Sequence, residues 1–155
     1  MNKMILITRP ATKQRGVTLL ELMIVVAIIS MIAAFAYPSY TQYIVNTKRT
    51  AATATLLQIA DRQQQFFMDN KRYTADLTDL GFAASPLFVS DDGNAVPAGD
   101  PDVVYLLTVA NVTPVTYTAI AAPLAQQLIR DTKCGTLTLT QTGAKDALAG
   151  GDKCW

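Results

Sequence analysis

The chain has 155 residues, of which half are hydrophobic, and its formal net charge is +1. This length suits one domain with room for one appended element. Because the chain has no histidine, it excludes Ser/His/Asp triads, Cys/His pairs and His-ligated metal sites. It also shows no nucleophile–base set and no phosphate-cradling glycine loop, so we expect no enzyme activity, no cofactor and no metal.

Residues 17–37 form an apolar run whose only charged residue is Glu21. An α-helix rises about 1.5 Å per residue, so this run would cross the roughly 30 Å hydrocarbon layer of a membrane. The charged residues before the run are all basic: Lys3, Arg9, Lys13 and Arg15. By the positive-inside rule they predict a cytoplasmic start of the chain. Without residues 1–16, nine basic residues face 12 acidic ones, and this net charge of −3 does not favour general polyanion binding.

Two ordinary interpretations of the apolar run remain open. The first is a plain membrane anchor. The second is a secretory signal peptide, for which Ala34, Phe35 and Ala36 supply an A-x-A box at the end of the run. Two features count against the signal peptide: Glu21 stands where the apolar core should begin, and Pro38 lies two residues past the box.

The stretch RGVTLLELMIVVAIIS resembles the N-terminus of the type IV pilin family, with a class III prepilin leader. It combines Gly16, Thr18 and Glu21 with the apolar positions of that motif, although Val17 stands where the family usually has Phe. The resemblance implies that a prepilin peptidase removes residues 1–16 and methylates the new N-terminal amine of Val17. Residues 17–37 would then remain as the transmembrane helix and later as the filament-core helix.

Glu21 is a functional candidate because an intramembrane carboxylate is costly unless it is paired. The resemblance implies that the carboxylate of Glu21 meets the N-terminal amine of a neighbouring subunit. Within its own chain, Glu21 lies one helical turn after Val17. Two opposite charges buried together attract strongly in low dielectric, whereas either one alone is costly. We therefore expect Glu21 to set the axial register of assembly. The alternative is a boundary residue of a shorter apolar run.

Residues 38–70 are predicted to continue the helix as an amphipathic half, because no Gly or Pro occurs from Ser39 to Asn70. Pro38 itself is expected to kink or loosen the helix, since it removes one backbone donor. The apolar stripe consists of Ile44, Ala52, Leu56, Ile59, Ala60, Phe66 and Phe67. The charged residues Lys48, Arg49, Asp61 and Arg62 fall away from this stripe. The pattern predicts a helix that rests on a globular head. A coiled-coil dimer is the alternative, but the stripe covers too few heptads to favour it.

Residues 71–155 are predicted to form that head. Its first stretch, residues 71–82, is turn-rich and resembles the segment after the long helix in minor pilins of the PilE-like kind. Residues 85–102 contain three prolines and are predicted to be a surface loop. The loop carries four aspartates, Asp91, Asp92, Asp100 and Asp102. They lack EF-hand spacing, so a solvated loop is favoured over a calcium site.

The strand signals come next. Residues 103–110 and 114–122 are rich in β-branched and aromatic residues and predict a hairpin joined through residues 111–113. Residues 134–143 alternate Leu and Thr with period two, which predicts a strand with one buried face. Residues 123–133 are a connection whose structure the sequence leaves open. The predicted fold is α+β: a long N-terminal helix packed on a small antiparallel sheet.

Cys134 and Cys154 have no CxxC spacing, which argues against a redox or zinc motif and favours one disulfide in an oxidising compartment. Such a bond closes a loop of about twenty residues and would stabilise the head by about 3 kcal/mol. In pilins, the resemblance implies, this loop is exposed on the filament and takes part in contacts or adhesion. Trp155 is expected to pack onto the sheet.

The expected function is that of a structural subunit, minor rather than major, of a type IV pilus used in cell adhesion and twitching motility. Its partners would be other pilin subunits, the prepilin peptidase and, before assembly, the inner membrane, with the N-terminus cytoplasmic. After assembly it would lie in the extracellular pilus. One alternative is a pseudopilin of type II secretion, which shares the N-terminal motif, although the disulfide loop argues against it.

A second alternative is a pilus-associated DNA receptor for natural transformation. Its support is a set of basic residues near the disulfide loop: Arg130, Lys133, Lys145 and Lys153. In the sequence they are interleaved with Asp131, Asp146 and Asp152. A mixed-charge solvated face is therefore favoured, and DNA is not the preferred partner.

Overall fold

A computed structural model describes residues 16–155 of the chain. The first element is α1, a helix of 52 residues over Leu19–Asn70. Its N-terminus is capped by Thr18, whose hydroxyl oxygen accepts a hydrogen bond from the Glu21 backbone N–H at 3.2 Å. The predicted leader, residues 1–16, lies outside the described residues except for Gly16. The continuous helix is confirmed through Pro38, and the predicted kink at that residue stays a prediction.

The chain divides between Ser39 and Tyr40 into two units, and α1 contributes to both. In the first unit, every described residue is exposed, including the aliphatic ones. Over this part α1 is apolar and long enough to cross a membrane. None of the apolar side chains of residues 17–39 is therefore buried within the described part of the chain.

The second unit is built on one antiparallel sheet of six strands in the order β2-β1-β3-β4-β5-β6. The strands are β1 (Leu87–Ser90), β2 (Ala95–Val96), β3 (Val103–Ala110), β4 (Thr118–Pro123), β5 (Leu137–Thr140) and β6 (Lys145–Ala147). A short helix, α2 (Ala125–Arg130), follows β4 directly. β2 pairs with the outer edge of β1, and the other edge of β1 pairs with β3. From β3 onward the strands follow in chain order.

The predicted hairpin is confirmed, with Thr108 opposite Ile120 in the β3–β4 register. Its loop is longer than predicted and covers residues 111–117. A local turn explains the difference. The Thr113 backbone N–H donates to the Thr116 carbonyl at 2.9 Å, and the Thr116 N–H donates to the Thr113 hydroxyl at 3.0 Å. These bonds satisfy backbone groups that the strand would otherwise have used.

The prediction of a plain loop over residues 85–102 was wrong, because β1 and β2 lie there. Within this stretch, Leu87 and Val89 are buried, which brings β1 into the sheet. Asp92 joins the two strands by a turn: its carboxylate accepts hydrogen bonds from the Ser90 hydroxyl and, at 3.2 Å, from the Asn94 backbone N–H. The acidic residue thus serves the turn of a small hairpin.

The hydrophobic core joins the second half of α1 to the sheet. Ala52, Leu56 and Ile59 of the predicted stripe are fully buried, while Ala60 and Phe66 are partly buried against the same cluster. The remaining fully buried aliphatic residues of the cluster include Leu77, Leu107, Ala119, Ala121 and Leu137. Burial alternates along β4 and β5, as the Leu/Thr pattern of β5 predicts. The α+β fold predicted from the sequence is confirmed.

Candidate functional site

The N-terminal candidates lie at and before the start of α1. Gly16 and Val17 precede the helix, and the side chain of Val17 is 70 % exposed. Glu21 is the acidic residue of the first helical turn. It is also exposed, one turn after Val17 and among exposed aliphatic side chains. In water this position suits a carboxylate, because the N-terminus of a helix carries partial positive charge. In a hydrocarbon layer the carboxylate would need a cationic partner.

A buried charged network lies where α1, α2 and β3 meet, and the sequence did not predict it. Arg49 binds Asp131 through two hydrogen bonds, from Nε to Oδ2 at 3.0 Å and from Nη2 to Oδ1 at 2.5 Å. The Tyr105 hydroxyl donates to Asp131 Oδ2 at 3.0 Å. Gln127 Nε2 donates to the Tyr105 hydroxyl at 3.1 Å and to the Val45 carbonyl at 3.2 Å. This network replaces the water that a buried ion pair loses.

Burial by itself lowers the pKa of Arg49, but the hydrogen bond and charge of Asp131 outweigh it, and the pKa lies above its ordinary value. Burial also raises the pKa of the Tyr105 phenol well above its usual range. Arg49 is therefore charged and Tyr105 neutral at any physiological pH. In these states both groups donate hydrogen bonds to the carboxylate of Asp131.

The interpretation that Arg49 falls outside the buried stripe was wrong. The buried residues of α1 include Val45, Arg49, Ala52, Leu56, Ile59 and Gln63. Their spacings alternate between four and three residues, as on a single helix face. This spacing places Arg49 in line with the core, and it is the signal that could have revealed the buried arginine. The partner, Asp131, is 82 residues away in sequence and carries no local signal.

The predicted disulfide between Cys134 and Cys154 is confirmed, with a Cα–Cα distance of 5.5 Å. The loop that it closes contains the β5–β6 hairpin, so much of the loop belongs to the sheet. Near the disulfide, the Gly151 backbone N–H donates a hydrogen bond to the Lys133 carbonyl at 3.0 Å. A Cβ at this position would lie 2.2 Å from that carbonyl oxygen, so only glycine fits.

Trp155 is held against β6, as predicted. Its indole Nε1 donates to the Asp146 carbonyl at 3.0 Å, and Lys145 Nζ lies 5.2 Å from the centre of the ring. This is cation–π distance. The ring borders a groove of about 390 Å³. Lys153, Asp146 and Asp152 also line this groove, so two ammonium groups, two carboxylates and one indole ring share a single depression.

The four basic residues near the disulfide loop are exposed. Within residues 16–155, the ion pairs closer than 4.0 Å are Lys48–Asp91 and Arg49–Asp131, so none of the four has a carboxylate partner there. Asp131 was interpreted as an acid that offsets these cations, and that was wrong, because it is buried beside Arg49. Four exposed cations and two exposed acids leave a local charge of +2. Lys133, Lys145 and Lys153 surround the loop, whereas Arg130 lies on α2.

The aspartates of the calcium alternative take other roles. Asp91 pairs with Lys48 at 3.7 Å, and Asp100 accepts a hydrogen bond from the Asp102 N–H at 2.9 Å. No group of three or more acidic, Cys or His side chains within residues 16–155 is arranged to hold a metal ion. These aspartates thus take part in local turns and in one ion pair.

Comparison with known proteins identifies the family. Residues 38–138 match the family model described as "Type IV minor pilin ComP, DNA uptake sequence receptor". Residues 11–37 match the prokaryotic N-terminal methylation motif. The first match spans the second half of α1 and the sheet as far as β5, and the second covers the apolar run.

Individual relatives are similar over half of the chain or less. The chain is 38% identical over 77 residues to the type IV major pilin protein PilA of Myxococcus xanthus, covering 50% of this chain and 35% of that protein. It is 36% identical over 80 residues to a fimbrial protein of Pseudomonas aeruginosa, covering 48% and 52%. It is 49% identical over 55 residues to the type IV major fimbrial protein FimA of Dichelobacter nodosus, covering 33% and 34%. The chain thus spans between about a third and a half of the length of these relatives.

The fold supports the same family, since a long N-terminal helix packed on a small antiparallel sheet is the α+β pilin fold. The first family match covers about two thirds of the chain. The chain therefore belongs to the ComP family of type IV minor pilins.

Proposed function

We propose that this chain is a structural, non-catalytic subunit of a type IV pilus, and a minor one. The observation that carries the proposal is the contrast within α1. Residues 17–39 expose apolar side chains on every face, whereas residues 45–63 bury one face on the sheet. Apolar helix faces without an internal partner require an external one, first lipid and then other subunits. The match to minor pilins and the pilus proteins among the relatives favour a pilus over a secretion system.

In this proposal, a prepilin peptidase cuts between Gly16 and Val17 and methylates the amine of Val17. Support comes from the methylation motif over residues 11–37. Residues 16–18 are also outside the helix and exposed, so a protease can reach the bond. Residues 17–37 then span the inner membrane with the N-terminus cytoplasmic, and they enter the filament core on assembly.

Glu21 acts in the assembly step. The new amine of Val17 is a cation at the end of an apolar helix, and Glu21 is the carboxylate one turn further along. In a filament, the amine of one subunit pairs with Glu21 of its neighbour, and the pair removes the cost of two separate buried charges. Because the pair forms only at one axial offset, it sets the register between subunits.

The intact mass of the mature protein tests the processing step. We expect a chain that begins at Val17 and carries one methyl group. Substitution of Gly16 by Glu should block the cut and leave the full-length chain in the membrane. A mature chain beginning at Tyr37 would contradict the proposal and support an ordinary signal peptide.

A second candidate function is DNA binding by the head. Its specific support is the arrangement of Lys133, Lys145 and Lys153 around the disulfide loop, without carboxylate partners within residues 16–155. The burial of Asp131 removes one of the acids that would offset them. The matched family model is also described as a DNA uptake sequence receptor. Lysines bind DNA phosphates, and the counterions released from the DNA favour this binding.

The single tryptophan gives a direct test, because Trp155 lies in the candidate groove. Titration of the protein with duplex oligonucleotides should change Trp155 fluorescence, and the affinity should fall as salt increases. Replacement of Lys145 by Gln should weaken binding, whereas replacement of Lys71, which follows α1 directly, should not. Unchanged affinity in the Lys145 variant would contradict DNA binding at this groove.

A further inference from the structure

Helix α2 has its polar and apolar faces reversed. Gln127, within α2, and Asp131, which follows it directly, are 3 % and 1 % exposed, whereas Leu128 and Ile129 between them are 59 % and 68 % exposed. A surface helix normally buries its apolar side chains and exposes its polar ones. The outward face of α2 therefore carries two large aliphatic side chains beside the exposed Gln126 and Arg130.

The inward polar contacts hold α2 in this orientation. Gln127 donates to the Val45 carbonyl at 3.2 Å, and Asp131 receives two hydrogen bonds from Arg49. If α2 turned to bury Leu128 and Ile129, it would leave the guanidinium of Arg49 buried without its carboxylate. That loss, with the loss of the hydrogen bond from Gln127 to the Val45 carbonyl, opposes the gain from burying two aliphatic side chains. The inward polar contacts thus favour the reversed orientation.

The exposed charged residues of the segment 124–133 are all basic. Arg130 and Lys133 are exposed, and neither has a carboxylate within 4.0 Å among residues 16–155. The only acidic residue of the segment 124–133 is Asp131, which is buried in its ion pair with Arg49. An apolar surface with adjacent cations is complementary to an anionic phospholipid surface.

Two tyrosines follow the proposed membrane span in α1. Val45, the residue of α1 whose carbonyl accepts a hydrogen bond from Gln127, follows Tyr37 by eight residues in the sequence. Between them, Tyr40 and Tyr43 are 64 % and 67 % exposed. Tyrosines are enriched at the membrane–water interface, where the ring and the hydroxyl find different environments.

We infer that the outward face of α2, formed by Leu128, Ile129 and Arg130, binds the outer leaflet of the inner membrane before the subunit enters a filament. The inference rests on the proposed function, since it requires residues 17–37 in the bilayer. Leu128 and Ile129 enter the boundary between headgroups and acyl chains, while Arg130 and Lys133 contact lipid phosphates. The contact holds the head against the membrane, and assembly releases it.

The test places a fluorescent probe on α2 and a matched probe elsewhere. In a Trp155→Phe background, Ile129→Trp puts the only tryptophan on α2, and Val115→Trp puts it in the β3–β4 loop. These two sites are 68 % and 66 % exposed and lie toward opposite ends of the β3–β4 hairpin. Each full-length variant is reconstituted in phosphatidylethanolamine–phosphatidylglycerol vesicles that contain lipids brominated near the top of the acyl chains. Thermal unfolding of each variant is compared with that of the wild type.

We expect the bromolipids to quench the tryptophan at position 129 at least about twofold more than the one at 115, because an interfacial side chain enters the headgroup–acyl boundary. Equal quenching at the two positions would overturn the inference and leave the pilin assignment intact. Fluorescence at position 129 that ignores bromine but changes with protein density in the membrane would indicate a second copy of the chain, and would also overturn it. Failure of the chain to float with the vesicles would overturn both this inference and the proposed membrane anchoring.

The wild-type chain provides a measurement without substitutions. Amide hydrogen exchange of residues 125–131 should be slower in phosphatidylglycerol-containing vesicles than in purely zwitterionic ones, since Arg130 and Lys133 favour anionic lipid. Exchange over residues 111–117 should be the same in both. Equal exchange over residues 125–131 in the two vesicle types would contradict the electrostatic part of the inference.

Discussion

The two halves of α1 have the same helical backbone but opposite relations to solvent. Over residues 17–39 every side chain is exposed, and apolar residues occupy all faces. Over residues 45–63 most buried side chains recur at alternating spacings of four and three, and most exposed side chains are polar. A helix that is apolar all around needs lipid or other helices, whereas a helix with one apolar face packs on a sheet. The difference shows that side-chain periodicity, and not helix propensity, decides what each half binds.

The largest expected effect concerns Glu21 in the first half. The Glu21→Ala variant should still insert and be cleaved, since it lacks a charge that membranes disfavour. Its incorporation into filaments should fall sharply, because breaking a buried ion pair costs about 3–5 kcal/mol. The measurement is the amount in sheared pili relative to the membrane pool. Glu21→Gln keeps the shape and should fail almost as badly. Normal incorporation of both variants would exclude Glu21 as the assembly contact.

The second prediction breaks the buried ion pair of the other half. Asp131→Ala leaves Arg49 buried without a partner and should lower the free energy of unfolding by about 3–5 kcal/mol. Denaturant unfolding followed by Trp155 fluorescence measures the loss. The control is Asp91→Ala, which removes the partner of Lys48 from an exposed pair and should cost less than about 1 kcal/mol. Equal losses in the two variants would show that the buried ion pair contributes no more to the free energy of unfolding than the exposed one.

The third prediction compares the same substitution in the two halves. Leu56 is fully buried, and Leu56→Ala should lower the free energy of unfolding of the head by about 2–5 kcal/mol. Leu22 is 59 % exposed, and Leu22→Ala should leave that free energy unchanged. Denaturant midpoints in detergent provide the measurement. A large loss of head stability in the Leu22 variant would contradict the division of α1 into two functional halves.

The fourth prediction concerns the head alone. Cys134→Ser removes the link between Cys134 and Cys154, and the head should lose about 3 kcal/mol of stability in the chain-entropy model. Thermal unfolding with and without reductant measures the effect. Reductant should destabilise the wild type and leave the variant unchanged. Two free thiols in peptide maps of the native protein would contradict the disulfide.

The smallest effect is a pH dependence that belongs only to the head. Burial, with a contribution from Tyr73, raises the pKa of Tyr117 to about 12 from 10.0. Since the folded state holds this proton more tightly, the stabilisation is complete below pH 10 and is lost as the pH rises toward 12. Unfolding midpoints between pH 9 and 12 should therefore fall, and Tyr117→Phe should make the fall shallower. An identical slope in that variant would contradict the assignment to Tyr117.

Much of the fold could be predicted because its signals are local. The apolar run, the stripe of Ala52, Leu56 and Ile59, and the Leu/Thr alternation of β5 all repeat within a few residues, and each was confirmed. The hairpin and the disulfide were confirmed as well. Strands β2 and β6 were missed because they have two and three residues, too few to show a period. Strand β1 was missed because its four residues lie in a stretch with three prolines, which indicates a loop.

The candidate sites divide in the same way. The spacing of Gly16, Val17 and Glu21 is a property of neighbouring residues along the chain, so the sequence alone is enough to indicate this site. The groove at Trp155 depends on the disulfide and on the hydrogen bond of Gly151, which bring Lys145 and Lys153 together. The sequence contains these residues but does not indicate that they share a surface.

By itself, the sequence determined the pilin-type N-terminus, the change in the helix from all-round apolar to one-faced, and the pairing of the two cysteines. These depend on residue type and spacing along one segment. Only the tertiary structure decided that Asp131 turns inward to Arg49, and that α2 consequently exposes Leu128 and Ile129. The reason is physical: a buried charge must find its partner wherever the fold brings one, and here that partner is 82 residues away.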